Sequence, residues 1–157
     1  MFGRRRSRSL ASLGMMLATS AAHAACIVVS AHPDGAALAH IDVDARDPQF
    51  RIAYVHSVTR TPVDEIYRVE GDAIVQAEIR FVEHGPGLPT APDAGGTFEH
   101  RDGMFAMRGK RSFDTIVMRV DAGQAPKLVA SDAVVDLARW GNRALAVRAQ
   151  AGSCDAS

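Results

Sequence analysis

An imidazole, two carboxylates and a guanidinium, those of His56, Glu65, Glu78 and Arg80, fall within residues 50–89, a stretch that alternates like β-strands and ends in a glycine- and proline-rich loop. Adjacent His56 and Ser57 suggest a hydrolase pair, but successive side chains of a strand point to opposite faces and cannot share a proton. No Gly-x-Ser-x-Gly elbow occurs in the chain. Strand register offers a better constellation. With Gly71-Asp72 as a two-residue hairpin loop, Glu70 pairs with Ala73, which sets Tyr67 opposite Gln76 and Glu65 opposite Glu78. With Thr59–Pro62 as a four-residue loop, Val58 pairs with Val63, which sets His56 opposite Glu65 and Tyr54 opposite Tyr67. Three strands then carry His56, Glu65 and Glu78 in a row on one face, with Arg80 diagonally beyond. A bulge would flip the faces.

Facing carboxylates repel, so such a row needs a cation, a shared proton or a charged histidine. A divalent metal could take two carboxylate oxygens and one imidazole nitrogen. An acid/base enzyme could use Glu65 and Glu78 if their pKa values were pushed apart, although no separate nucleophile accompanies them. The structural alternative pairs His56 with Glu65 and Glu78 with Arg80. The residues leave these open, and no cofactor is expected. His32, His40, His84 and His100 show no zinc-motif spacing. Gly85, Gly87, Leu88 and Pro89 belong to a loop long enough to carry a binding surface or to be a rigid connection. No helix follows its glycines, so a rigid turn fits them better than a phosphate cradle. Tyr54, Tyr67 and Phe81 are assigned to the core.

The elements that must position these residues read as short strands: Ile27–Ser30, Leu38–Val43, Phe50–Val58, Asp64–Glu70, Ala73–Glu83, Thr97–Arg101, Met104–Arg108, Phe113–Asp121, Lys127–Ala130 and Leu145–Ala149. Ala133–Ala138 fits a strand or a turn or two of helix. Asp102-Gly103 is the strongest hairpin dipeptide. This spacing, with no repeat and no linker, predicts an all-β fold, a single antiparallel sandwich or small barrel.

The first 24 residues are set apart. Arg4, Arg5, Arg6 and Arg8 precede an apolar run, Leu10–Ala22, and Ala22-His23-Ala24 forms an A-x-A cleavage site, so residues 1–24 read as a signal peptide and 25–157 as one β domain. The apolar run is too short for the roughly 20 residues that span a bilayer, and nothing after it is longer, so no membrane-spanning segment is expected. The segment holds four of the 18 basic residues and none of the 18 acidic ones. The remainder is therefore acidic, which disfavours nucleic acid. In an exported protein, Cys26 and Cys154 are expected to form one disulfide; the alternatives are lipidation of Cys26 or a pair of unreactive thiols.

Tyr54-Val55-His56-Ser57-Val58, Thr61-Pro62-Val63-Asp64-Glu65, Gly85-Pro86-Gly87-Leu88-Pro89 and Asp102-Gly103-Met104-Phe105, in that order, resemble the bacterial domain of unknown function 1850. The likeness covers about residues 48–120, and this chain has Pro86 where members more often carry alanine. It implies a small exported, periplasmic protein associated with tripartite transporters of the TAXI subclass, with the receptor or permease as partner. No catalytic residues follow from it. The expected function is a non-catalytic transporter accessory with the His56–Pro89 region as its contact or ligand surface. The alternatives are a stand-alone small-ligand or metal-binding module and the acid/base enzyme.

Overall fold

The structure, a computed structural model, describes residues 25–154. The expected signal peptide lies outside the described residues. Among the described residues there are eleven strands: β1 (Ala25–Ala31), β2 (Ala37–Val43), β3 (Gln49–Val55), β4 (Pro62–Glu70), β5 (Ala73–Phe81), β6 (Thr97–Arg101), β7 (Met104–Phe113), β8 (Ile116–Arg119), β9 (Lys127–Ala130), β10 (Ala133–Asp136) and β11 (Ala144–Ala151). All pair antiparallel, in a four-stranded sheet of order β2-β1-β11-β8 and a seven-stranded sheet of order β10-β9-β3-β4-β5-β7-β6. The all-β sandwich expected from the sequence is the architecture found. After β10 the chain forms a short 3-10 helix, Leu137–Trp140, so the ambiguous segment is part strand and part helical turn.

The continuous apolar run of β1 is explained by its place between β2 and β11. Its Ile27 and Val29 meet Phe50 and Ile52 of β3, Tyr67 and Val69 of β4, Ile74 of β5, Leu128 of β9 and Leu145 and Val147 of β11 in one buried cluster between the sheets. Each such side chain contributes about 1.5–3 kcal/mol on burial. Cys26 on β1 is disulfide-bonded to Cys154, just beyond β11, with Cα atoms 5.0 Å apart. A four-stranded sheet does not cover a seven-stranded one. A second cluster, Val63, Ile79, Phe81 and Met107, is closed instead by Leu88 from the loop between β5 and β6. No helix among the described residues is long and apolar enough to cross a membrane.

Two details of register correct the row of polar residues. Strand β3 ends at Val55, which pairs with Pro62, so the connection is the six-residue loop His56–Thr61 and not Thr59–Pro62. Tyr54 therefore faces Val63, and Glu65 faces Ile52; His56 lies outside the ladder. The loop is wide because His56 closes it from within. Its N–H donates to the Thr61 carbonyl (2.9 Å), and its carbonyl accepts from the Arg60 N–H (3.0 Å), with Arg60 left-handed at φ 58°. Between β4 and β5, Glu70 faces Ala73 and Tyr67 faces Gln76 as expected, but a bulge at Ala77 then sets Ile66 opposite Glu78 and Glu65 opposite Ile79. Since Glu65 and Ile66 are neighbours on one strand, Glu65 and Glu78 fall on opposite faces.

Candidate functional site

His56 is 5 % exposed and fastens two loops together. Its Nδ1 faces the backbone N–H groups of Val58 (3.3 Å) and Thr59 (3.2 Å), so that nitrogen accepts. Nε2 then carries the proton and donates to the Pro86 carbonyl (3.1 Å). Both ring nitrogens are thus engaged by backbone, which removes His56 from the expected metal set and from any pair with Glu65. Gly85 is shaped to this contact: a Cβ there would lie 2.5 Å from His56 Cε1 and 3.0 Å from Thr59 Cγ2. His56, Thr59, Gly85 and Pro86, separated in sequence, form one latch.

Glu65 lies on the inner face of β4, between the two apolar clusters, because Val63 and Tyr67 flank it with period two. One of its oxygens accepts from the Tyr54 hydroxyl (2.8 Å), the other from the Tyr67 hydroxyl. Both phenols are shifted upward, first by burial and then by the Glu65 charge; the Arg111 charge works against the rise at Tyr67. They remain protonated donors. Among the described residues no cation pairs with Glu65.

Glu78, 9 % exposed, is held by Arg80 and, at 3.0 Å, by Arg108, which also reaches Glu99. Burial pushes its carboxyl upward, and the hydrogen bonds and charges of Arg80 and Arg108 more than offset that, holding it below the usual carboxylate range. The Glu78–Arg80 pair is therefore present. The Glu65–Glu78 acid/base pair is not, since the bulge turns the carboxylates apart. Among the described residues no group of three or more His, Cys, Asp or Glu side chains is placed to hold a metal.

What the structure brings together is a cleft of about 440 Å³ on the uncovered inner face of the larger sheet. Glu65, Tyr67, Gln76 and Arg111 line it from the strands, and the loop segment from Gly87 through Leu88 and Pro89 to Asp93 lines it from above. Leu88, 8 % exposed, pins this cover to the second apolar cluster. Gly87 adopts φ +87°, where a side chain would be strained. Gly96 passes so close to the Arg108 carbonyl that a Cβ could not fit, which ties the far end of the loop to β7. Of the expected site residues, Glu65, Gly87, Leu88 and Pro89 line this cleft, and Glu78 borders it at the bulge with its carboxylate turned to Arg80 and Arg108 on the other face; His56 and Gly85 hold its cover from outside, and Arg80 does not line it.

The sequence reading missed Gln76, Arg108 and Arg111, and it assigned Tyr54 and Tyr67 to core packing alone. Strand β7 runs to Phe113 and pairs with β5, placing Arg111 opposite Gln76. The Tyr67–Gln76 pairing was readable and would have pointed to this row, had the strand starting at Met104 been extended past Arg108.

No curated protein and no solved structure matches the chain. Over residues 50–137, which take in nearly all of β3 through β10 with the latch and the cleft cover, the sequence matches the family described as "Domain of unknown function (DUF1850)". That span is more than half of the chain, and the protein belongs to this family.

Proposed function

We propose that the protein is an exported, periplasmic, non-catalytic accessory of a TAXI-type tripartite transporter, and that the cleft is its working surface. The observation that carries this reading is the cleft itself, a polar floor under a fastened cover on an otherwise apolar face. The Cys26–Cys154 disulfide fits an oxidising compartment. The association with a transporter rests on the family resemblance. Affinity purification from gently solubilised membranes tests it: the receptor or permease is expected with the wild-type protein and is lost or reduced with Leu88→Asp. Recovery of neither, even after cross-linking in cells, would sink the association.

A second reading, a small-ligand module acting alone, is favoured by the cleft volume, which falls within the roughly 300–1,000 Å³ of ligand pockets. Native mass spectra with a bound small molecule and no protein partner would select it.

A further inference from the structure

The charges lining the cleft are unevenly satisfied. Glu78 is paired with Arg80 and Arg108, and Arg108 in turn with Glu99. Glu65 receives two hydrogen bonds, both from neutral phenols, so its negative charge has no cationic partner among the described residues. Arg111 is exposed, lies 5.4 Å from the Phe113 ring centroid, and forms no ion pair among the described residues. The remaining acid, Asp93, is exposed at the rim near Gly109.

Register places the two unpaired charges on one face. Tyr67, Gln76 and Arg111 form a row across β4, β5 and β7, and Glu65 stands two residues from Tyr67 on the same strand. With strands about 4.8 Å apart and about 3.4 Å per residue, the Glu65 and Arg111 backbones are roughly 12 Å apart. Their side chains do not meet, yet one small molecule can touch both. Apolar walls stand beside each end, Ile79, Leu88 and Met107 near Glu65 and Phe113 and Ile116 near Arg111.

We infer that the cleft binds a small zwitterion of the amino-acid class, its ammonium on Glu65 and its carboxylate on Arg111, with an apolar side chain against Leu88 and Met107. The phenols hold both Glu65 oxygens by one lone pair each and leave the others for ligand N–H donors. A guanidinium offers two parallel N–H donors to a carboxylate. This rests on the reading of the cleft as the working surface and adds the chemistry of its ligand.

The test uses the disulfide-bonded protein. Its melting is followed with individual proteinogenic amino acids, and the best binder is titrated calorimetrically beside the same skeleton lacking the amino group and the same skeleton lacking the carboxylate. Each truncated compound is expected to bind at least about tenfold more weakly, a loss of one charge-assisted contact. Glu65→Gln should weaken the amino acid and the amine but not the deaminated acid, and Arg111→Gln should weaken the amino acid and the deaminated acid but not the amine. Arg111 is exposed, so its variant will fold even if Glu65→Gln does not, and it decides alone. No stabilisation by any amino acid, or binding unchanged in Arg111→Gln, overturns the inference. Transporter proteins still recovered in the affinity experiment would then leave the association standing; amino-acid binding without such recovery would remove the association and keep the ligand.

Discussion

At the scale of single residues, the two tyrosines make a direct measurement possible, because the chain contains no others. Both donate to Glu65 and both are shifted upward by burial and by its charge. Tyrosinate absorbance is therefore expected to be absent at pH values where a free phenol ionises and to appear only as the protein unfolds in alkali. The sign follows from the shift: stability from these phenols is full below the ordinary tyrosine pKa of about 10 and declines as pH rises toward the folded values. A spectrophotometric titration showing two ordinary phenols would contradict the Glu65 geometry. Glu78 behaves in the opposite sense. Its carboxyl is depressed, so its contribution is present above the ordinary glutamate pKa and is lost as pH falls through the lower folded value. Glu78→Gln is expected to cost about 1–2 kcal/mol near neutrality, since Arg80 and Arg108 are half exposed and screened, and to flatten the acid limb of a melting-temperature profile. An unchanged acid limb would show that the arginines do not hold it.

At the scale of elements, the latch joins the β3–β4 loop to the cover of the cleft. His56→Ala leaves the Val58 and Thr59 N–H groups and the Pro86 carbonyl without their partner, and about 2–4 kcal/mol of stability is expected to go. His56→Asn places an oxygen where Nδ1 lies and should recover part of the loss in urea denaturation. Hydrogen exchange should quicken at the Leu88 amide, which donates to the Gly85 carbonyl, and not in β1. Equal effects on both elements would mean that the latch serves the whole fold and not the cover. This contact also shows why the sequence was legible in one part and not in the other. Strand alternation and the Gly71-Asp72 hairpin depend on neighbours and were read correctly, as was the Tyr67–Gln76 pairing. The row of His56, Glu65 and Glu78 depended on loop length and on an unbroken ladder. An imidazole that hydrogen-bonds its own loop and one extra residue at Ala77 changed both, and neither leaves a trace in hydrophobic periodicity.

At the scale of the whole molecule, the family match coincides with one sheet. Residues 50–137 hold nearly the whole seven-stranded sheet, whereas β1, β2 and β11, three of the four strands facing it, lie outside that span. The disulfide ties the first of these strands to the end of the last across 128 residues. Closing so long a loop stabilises by up to ~5 kcal/mol in the chain-entropy model. Reduction, or paired Cys26→Ser and Cys154→Ser substitutions, should lower the denaturation midpoint while leaving the cleft intact. A midpoint that does not move would show that the bridge adds nothing beyond the pairing of β1 with β11.

The position of β1 between β2 and β11 also sets an order of assembly. Seven residues near the start of the described chain wait for eight near its end. Until β11 arrives, β1 has one neighbour, and Phe50, Ile52 and Leu128 lack part of the sheet that shields them from water. Such long-range closure is slow and comes late, because the entropy of bringing the ends together must be met before the contacts form. A chain synthesised from its N-terminus therefore keeps β1 without its second neighbour, and the inter-sheet core partly open to water, until β11 is made.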